Sequence, residues 1–241
     1  MILITRPFKK SKLLVKQLDK QVCHIDPILS FVMRKKKINF NQYTDFIIAS
    51  SESVSTLQKH YKDKINLLRR CNFYVIGSET EKSLKKLNFS KIKVIVNNSE
   101  QLIPHLRNLK KKNNKKCFIC YLSGNIENTK FLKEIDRLRI NYQREILYSV
   151  KSKKKLSNRT IRYLNEGRIK AVLLYSPFTA RKYLELIDNV RLKKRVFNIK
   201  HICFSRNVAS VLRQGGYKNV YSPHKVRTGA GFIRLIKTKL T

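Results

Sequence analysis

Thr44-Asp-Phe-Ile-Ile-Ala-Ser-Ser-Glu-Ser-Val-Ser-Thr-Leu57 is a short apolar run, then serines, then a helical pattern. Lys170-Ala-Val-Leu-Leu-Tyr-Ser-Pro-Phe-Thr-Ala-Arg-Lys-Tyr-Leu184 repeats it, so that Ser50 falls on Ser176. A second unit follows each copy. Phe73-Tyr-Val-Ile-Gly-Ser-Glu-Thr80 answers to His201-Ile-Cys-Phe-Ser-Arg-Asn-Val208, which sets Gly77 on Ser205 and Thr80 on Val208. The third unit breaks the order. The run Cys117–Leu122 with Ser123-Gly124 has its partner at the start of the chain, in Ile2-Leu-Ile-Thr-Arg6. The duplication is therefore out of phase with the chain ends. One lobe is contiguous, and the other is assembled from both ends.

Working outward, apolar runs of four to six residues alternate with helical patterns. Strands are expected at 2–5, 22–25, 45–49, 73–76, 93–96, 117–122, 171–175, 200–204 and 219–221. Helices are expected at 10–20, 53–61, 79–87, 99–111, 126–139, 157–166, 178–187, 206–214 and 228–239. Such alternation argues an α/β fold with parallel sheets and crossover helices. The strand runs lack polar alternation, as befits strands buried on both faces. Asn88 and Gly215-Gly216 read as helix stops.

Two similar lobes follow, each a parallel sheet flanked by helices. Residues 1–30 with 151–241 form the discontinuous lobe, and 36–144 the inserted one. The chain crosses between them at 28–35 and 145–151, two extended-looking segments expected to pair as a two-stranded hinge. Two crossings leave a cleft, and clefts are where ligands bind.

Composition narrows the partners. The 241 residues suit one large domain or two small ones, and lobes of roughly 110–120 residues match the usual domain size. No apolar run approaches the roughly 20 residues of a membrane helix, and Met1–Ile4 is too short for an export signal. A cytoplasmic protein is expected. Five scattered cysteines read as reduced thiols. Cys117 and Cys120 sit in one strand run, where residues three apart face opposite ways, so they read as buried packing groups. The five histidines show no ligand spacing, and no metal is expected. The chain has 54 Lys+Arg against 15 Asp+Glu, a net +39. This permits a polyanionic partner. The basic runs fall between elements, however, and read as solvated surface, which limits nucleic acid to non-specific binding.

Gly-rich phosphate loops and the nucleophile elbow are missing from the sequence. Gly229-Ala-Gly231 follows no clear strand, and Thr228 reads as a helix cap. The small polar residues instead recur at one place, the carboxyl end of a strand before a helix. These are Thr5-Arg6, Ser50-Ser51, Gly77-Ser78, Ser123-Gly124, Ser176 and Ser205-Arg206. Ligands of open parallel sheets bind there, where helix N-termini favour anions. Ser and Thr also cap helices in any protein. Six such edges together suit a ligand with several negative groups.

The pattern resembles the uroporphyrinogen-III synthase family. Thr5-Arg6-Pro7 resembles that family's early Thr-Arg. Ala49-Ser50-Ser51-Glu52-Ser53-Val54 resembles Thr-Ser-x-x-x-Val. Ile76-Gly77-Ser78-Glu79-Thr80 resembles Val-Gly-x-x-Thr, and Leu122-Ser123-Gly124 an Arg-Gly turn. Leu147-Tyr148-Ser149 resembles a Val-Tyr pair at the return crossing, and Tyr175-Ser176-Pro177-Phe178-Thr179-Ala180 a Thr-Ser-Pro-Ser-x-Val. Two positions depart: Ser123 stands for the turn arginine, and Val208 for a threonine that Asn207 could replace. The resemblance implies a cofactor-free, monomeric, cyclising hydro-lyase of haem biosynthesis. It would dehydrate hydroxymethylbilane, a linear tetrapyrrole with eight carboxylates, invert the last ring and close the macrocycle to uroporphyrinogen III. It further implies Tyr148 as general acid. The implied substrate contacts are Thr5, Arg6, Ser50, Ser51, Gly77, Thr80, Ser123, Gly124, Ser176, Ser205 and Asn207. The alternatives are a basic nucleic-acid-binding protein and a two-lobed binding protein without catalysis.

Overall fold

The computed structural model describes residues 1–18, 22–113, 118–223 and 229–240. In chain order the elements are β1 (Ile2–Ile4), α1 (Phe8–Gln17), β2 (Cys23–Ile25), β3 (Leu29–Met33), β4 (Asp45–Ile48), α2 (Ser51–His60) and α3 (Ile65–Arg69). Then come β5 (Asn72–Ile76), α4 (Ser78–Lys85), β6 (Ile92–Val96), α5 (Ile103–Asn113), β7 (Phe118–Gly124), α6 (Thr129–Arg137) and β8 (Asn141–Ser152). The chain finishes with α7 (Asn158–Asn165), β9 (Ala171–Leu174), α8 (Pro177–Asn189), α9 (Lys193–Val196), β10 (Lys200–Cys203), α10 (Arg206–Gln214), β11 (Val220–Tyr221) and α11 (Gly229–Leu240).

The chain divides into two compact units, Met1–Ser30 with Lys151–Thr241, and Phe31–Val150. The first holds a sheet of order β11-β10-β9-β1-β2, parallel throughout. The second carries the order β3-β8-β7-β4-β5-β6, and β8 through β6 are parallel. Read from the β11 and β6 edges, the two orders correspond strand for strand: β10 to β5, β9 to β4, β1 to β7. The first strand of the chain thus occupies in its sheet the place of β7 in the other. This is the permuted duplication, seen as topology.

Burial explains the apolar runs. Phe46, Ile48, Phe73, Val75, Cys120 and Leu122 face one side of the second sheet, under Val54, Leu57, Leu68 and Leu84. Ile47, Tyr74, Ile119 and Tyr121 face the other, under Leu106, Phe131 and Ile135. Both faces of each central strand are covered, so each strand is continuously apolar. Every fully buried Leu, Ile or Phe of this kind contributes about 1.5–3 kcal/mol. In the first unit Ile2, Ile4, Leu14, Leu173, Ile202, Phe232 and Ile236 form the corresponding core.

Helix starts follow local chemistry. The Ser50, Ser157, Ser176 and Ser205 hydroxyls accept from the N–H groups of Glu52, Thr160, Thr179 and Val208. Each satisfies one orphan donor. Asn88, at φ 59°, and Gly216, at φ 87°, take the left-handed conformation that ends α4 and α10.

Three features differ from the sequence expectations. β6 alternates in burial, because this edge strand is covered less completely than the central ones. β8 begins at Asn141, ahead of the expected crossing, and α3 and α9 fall outside the expected helices. Cys117, His224 and the Thr228 cap lie outside the described residues. The two crossing segments are neighbours in the sheet order. The Arg34 N–H donates to the Leu147 carbonyl and the Lys153 N–H to the Ile28 carbonyl, each at 2.8 Å, so β3 and β8 run antiparallel.

Candidate active site

The carboxyl ends of the parallel strands lie on one rim in each unit; in the second sheet only the edge strand β3 runs the other way. In the second unit β8, β7, β4 and β5 are successive neighbours. They bring Tyr148, Ser123-Gly124, Ser50-Ser51 and Gly77 with Thr80 into one row.

Tyr148 stands opposite Gly124, at a register shift between Ser123 and Gly124. A Cβ on Gly124 would lie 2.6 Å from the Tyr148 Cε2 and Cζ atoms and 2.9 Å from its hydroxyl. Only glycine allows the ring to lie there. The ring is 9% exposed and meets Phe31 edge-on, with centroids 5.6 Å apart. Burial pushes the Tyr148 phenol above its ordinary pKa, and a side-chain hydrogen bond with Ser50 partly offsets this. The phenol is therefore protonated at neutral pH and able to donate.

The neighbouring edges are ordered in the same way. Ser50, in extended conformation, caps α2, and Ser51 is nearly buried in its first turn. Gly77 precedes α4 at φ 91°, a conformation that strains any side chain. Thr80 is 3% exposed. The Ser123 hydroxyl donates to the Gly124 carbonyl at 3.2 Å.

Sequence reasoning missed Arg144. From β8 it reaches the turn after β7, where its Nε donates to Ser123 Oγ at 2.9 Å and its Nη2 to the Gly124 carbonyl at 2.7 Å. A guanidinium thus stands at the Ser123–Gly124 turn. The usable signal was the alternating segment Tyr142, Arg144, Ile146, a strand pattern that the crossing at 145–151 cut short.

In the first unit the rim comprises the ends of β1, β9 and β10. The Thr5 hydroxyl donates to the Leu173 carbonyl at 2.6 Å, and the residue is 1% exposed. That hydroxyl is committed to the sheet. The Arg6 guanidinium lies 4.5 Å over the Tyr175 ring, and Tyr175 stacks on Phe204 at 5.9 Å. These contacts tie the three strand ends together just before Ser176 and Ser205. Ser176 caps α8 and its Oγ lies 2.7 Å from Thr179 Oγ1, while Ser205 caps α10. Asn207 is exposed. It borders a cavity of about 810 Å³, lined also by Arg206, Ser210, Arg213, Ser222 and Lys239.

Residues 23–232 match the family described as HEM4, uroporphyrinogen-III synthase HemD. The chain belongs to the uroporphyrinogen-III synthase family. Membership places its function in tetrapyrrole biosynthesis. The crystal structure of uroporphyrinogen-III synthetase from Helicobacter pylori 26695 is similar over 99% of this chain and 98% of that one, with TM-score 0.66 and 15% identity. A mutant uroporphyrinogen III synthase from the extremely thermophilic bacterium Thermus thermophilus is similar over the same shares, with TM-score 0.61 and 14% identity. At these identities the likeness is one of fold. No curated protein matches the sequence. Among the described residues no helix is long and apolar enough to cross a membrane.

Proposed function

We propose that this member of the uroporphyrinogen-III synthase family is a cyclising hydro-lyase. It takes hydroxymethylbilane to uroporphyrinogen III without a cofactor, as a cytoplasmic monomer. The observation that carries the reading is Tyr148, a buried phenol placed beside Ser50 on a rim of strand ends and over Gly124. The phenol donates its proton to the departing hydroxyl as the C–O bond breaks, and the oxygen leaves as water. Ring closure releases a proton from the terminal pyrrole carbon, which restores the phenol. The rest of the work is positioning. The N–H groups near Ser50, Gly77, Thr80 and Ser123, and those near Ser176 and Asn207, are proposed carboxylate binders. Arg6 and the basic cavity beside Asn207 supply positive charge.

Thr5 contributes through its backbone, since its hydroxyl already serves Leu173. The paired crossing strands β3 and β8 are proposed as the hinge of the discontinuous and inserted domains.

The test is a coupled assay. Hydroxymethylbilane is generated in place, and the oxidised product isomers are separated by chromatography. The linear substrate closes unaided to the uninverted isomer I. Enzyme-dependent isomer III is the expected result. Isomer I alone, from folded protein, would overturn the catalytic reading in favour of a binding protein.

A further inference from the structure

The side chain of Arg144 is only 13% exposed, whereas most Lys and Arg among the described residues are exposed. Its guanidinium nitrogens meet three acceptors of one short segment. Nε donates to Ser123 Oγ at 2.9 Å, Nη2 to the Gly124 carbonyl at 2.7 Å and Nη1 to Glu127 Oε1 at 2.5 Å. The planar fork of arginine can serve three acceptors at fixed angles, and the point charge of lysine cannot.

The same segment carries the β-bulge between β7 and β8. Ser123 is opposite Ile146, but Gly124 is opposite Tyr148, so Leu147 is the extra residue. Bulges re-aim side chains. This one sets the Tyr148 ring over Gly124, where a Cβ would collide with it, and beside the Ser50 hydroxyl. Two further bonds brace the bulge: the Asn125 N–H donates to the Tyr148 carbonyl at 3.0 Å, and the Val150 N–H to Asn125 Oδ1 at 2.7 Å. On the turn side of this brace stands the guanidinium with its Glu127 partner. Glu127 is half exposed, and an ion pair of that kind stabilises little. The two bonds to the turn itself give Arg144 its structural leverage.

We propose that Arg144 is a positioning residue for Tyr148. By fixing the Ser123–Gly124 turn it holds the bulge that aims the phenol at the reacting hydroxyl. The proposal rests on the catalytic reading of Tyr148.

The test is a double-mutant cycle in the isomer III assay, with kcat and KM measured separately and folding checked by thermal denaturation. Arg144→Gln is expected to lower kcat about tenfold, less than the roughly 10²–10⁴-fold that a general acid contributes in full, with KM changed less than about twofold. On a Tyr148→Phe background the same substitution should have no further effect, since residues acting as one unit are non-additive. Equal losses on both backgrounds would overturn the proposal while leaving Tyr148 in place. Full activity of Tyr148→Phe alone would overturn the reading of Tyr148, and the proposal with it. Should Arg144→Gln fail to fold, Arg144→Lys keeps the charge and loses the fork. Its kcat should fall likewise, and wild-type kcat in that variant would overturn the proposal.

Discussion

Tyr148 and Gly124 form one device. Burial raises the phenol's pKa above the ordinary value of about 10, so the proton is present across neutral and mildly alkaline pH. It is lost only as pH rises through the raised value. Isomer III formation should therefore persist into alkaline conditions and then fall. Tyr148→Phe should cut turnover by about an order of magnitude or more and abolish that alkaline limb, because Phe has no proton to lose. A pH–rate profile identical in the two proteins would remove Tyr148 from the mechanism. Gly124→Ala tests the other half. Its Cβ would sit 2.6 Å from the ring, and overpacking of this kind costs about 1–3 kcal/mol. The expected result is a lower melting temperature together with a lower kcat, read by thermal denaturation and the isomer assay. A fully active Gly124→Ala protein would show that the ring's place over the strand end does not matter.

At the scale of elements, each unit fastens both crossing segments with a carboxylate. Asp26, just after β2, is paired with Lys153 and accepts from the Ser157 N–H at 3.1 Å and the Thr160 hydroxyl at 2.6 Å. In the other unit Lys36 pairs at 2.8 Å with Glu145 of β8, which is 3% exposed. Burial alone would raise the Asp26 pKa, but the bonds from Lys153, Thr160 and Ser157 outweigh it and hold the carboxyl below its ordinary value. A depressed pKa stabilises the fold above the unfolded value of about 3.9, and that contribution is lost as pH falls through the folded one. Asp26→Asn should lower stability by about 1–3 kcal/mol at neutral pH, the cost of buried donors losing a charged acceptor. It should also flatten the loss of stability below about pH 4. Denaturant unfolding at pH 7 and pH 3 would show both. An unchanged difference between the two pH values would exclude this carboxylate as the source. These elements also mark what the sequence could and could not show. The apolar strands and α10 were legible because burial on both faces, a serine cap and a glycine stop are local signals. The first half of β8 was legible only as a weak alternation of Tyr142, Arg144 and Ile146, because its polar residues gain their place by pairing with β7. The hydroxyl of Thr5 was legible as a strand-end polar group, but its aim at the Leu173 carbonyl depends on a partner 168 residues away. Arg144 escaped for the same reason, as its acceptors come from another strand.

For the whole molecule the open question is what a net charge of +39 does. Charge of that size attracts any polyanion at long range, so affinity alone says nothing about a specific ligand. Salt separates the two cases. Non-specific binding to duplex DNA depends on counterion release, and a protein making 6–10 phosphate contacts loses about 10³–10⁵ in affinity between 50 and 200 mM salt. The proposed substrate site differs, because it adds fixed donors to local charge. Such donors are the N–H groups at capped helix starts and the guanidinium of Arg6, itself held over Tyr175. Interactions made at contact are screened less than those acting over more than the Debye length of about 10 Å at 0.1 M. Raising salt from about 50 to about 200 mM should therefore abolish DNA binding by filter or anisotropy assay, and DNA of any sequence should bind alike. The KM for isomer III formation should rise by far less, about tenfold or under. If both affinities fell with the same slope, the tetrapyrrole would be held by diffuse charge alone, and the strand-end donors would have no part in binding it. If DNA binding proved sequence-selective and salt-resistant, the basic surface would itself be a site, which the spread of Lys and Arg over many helices and loops argues against.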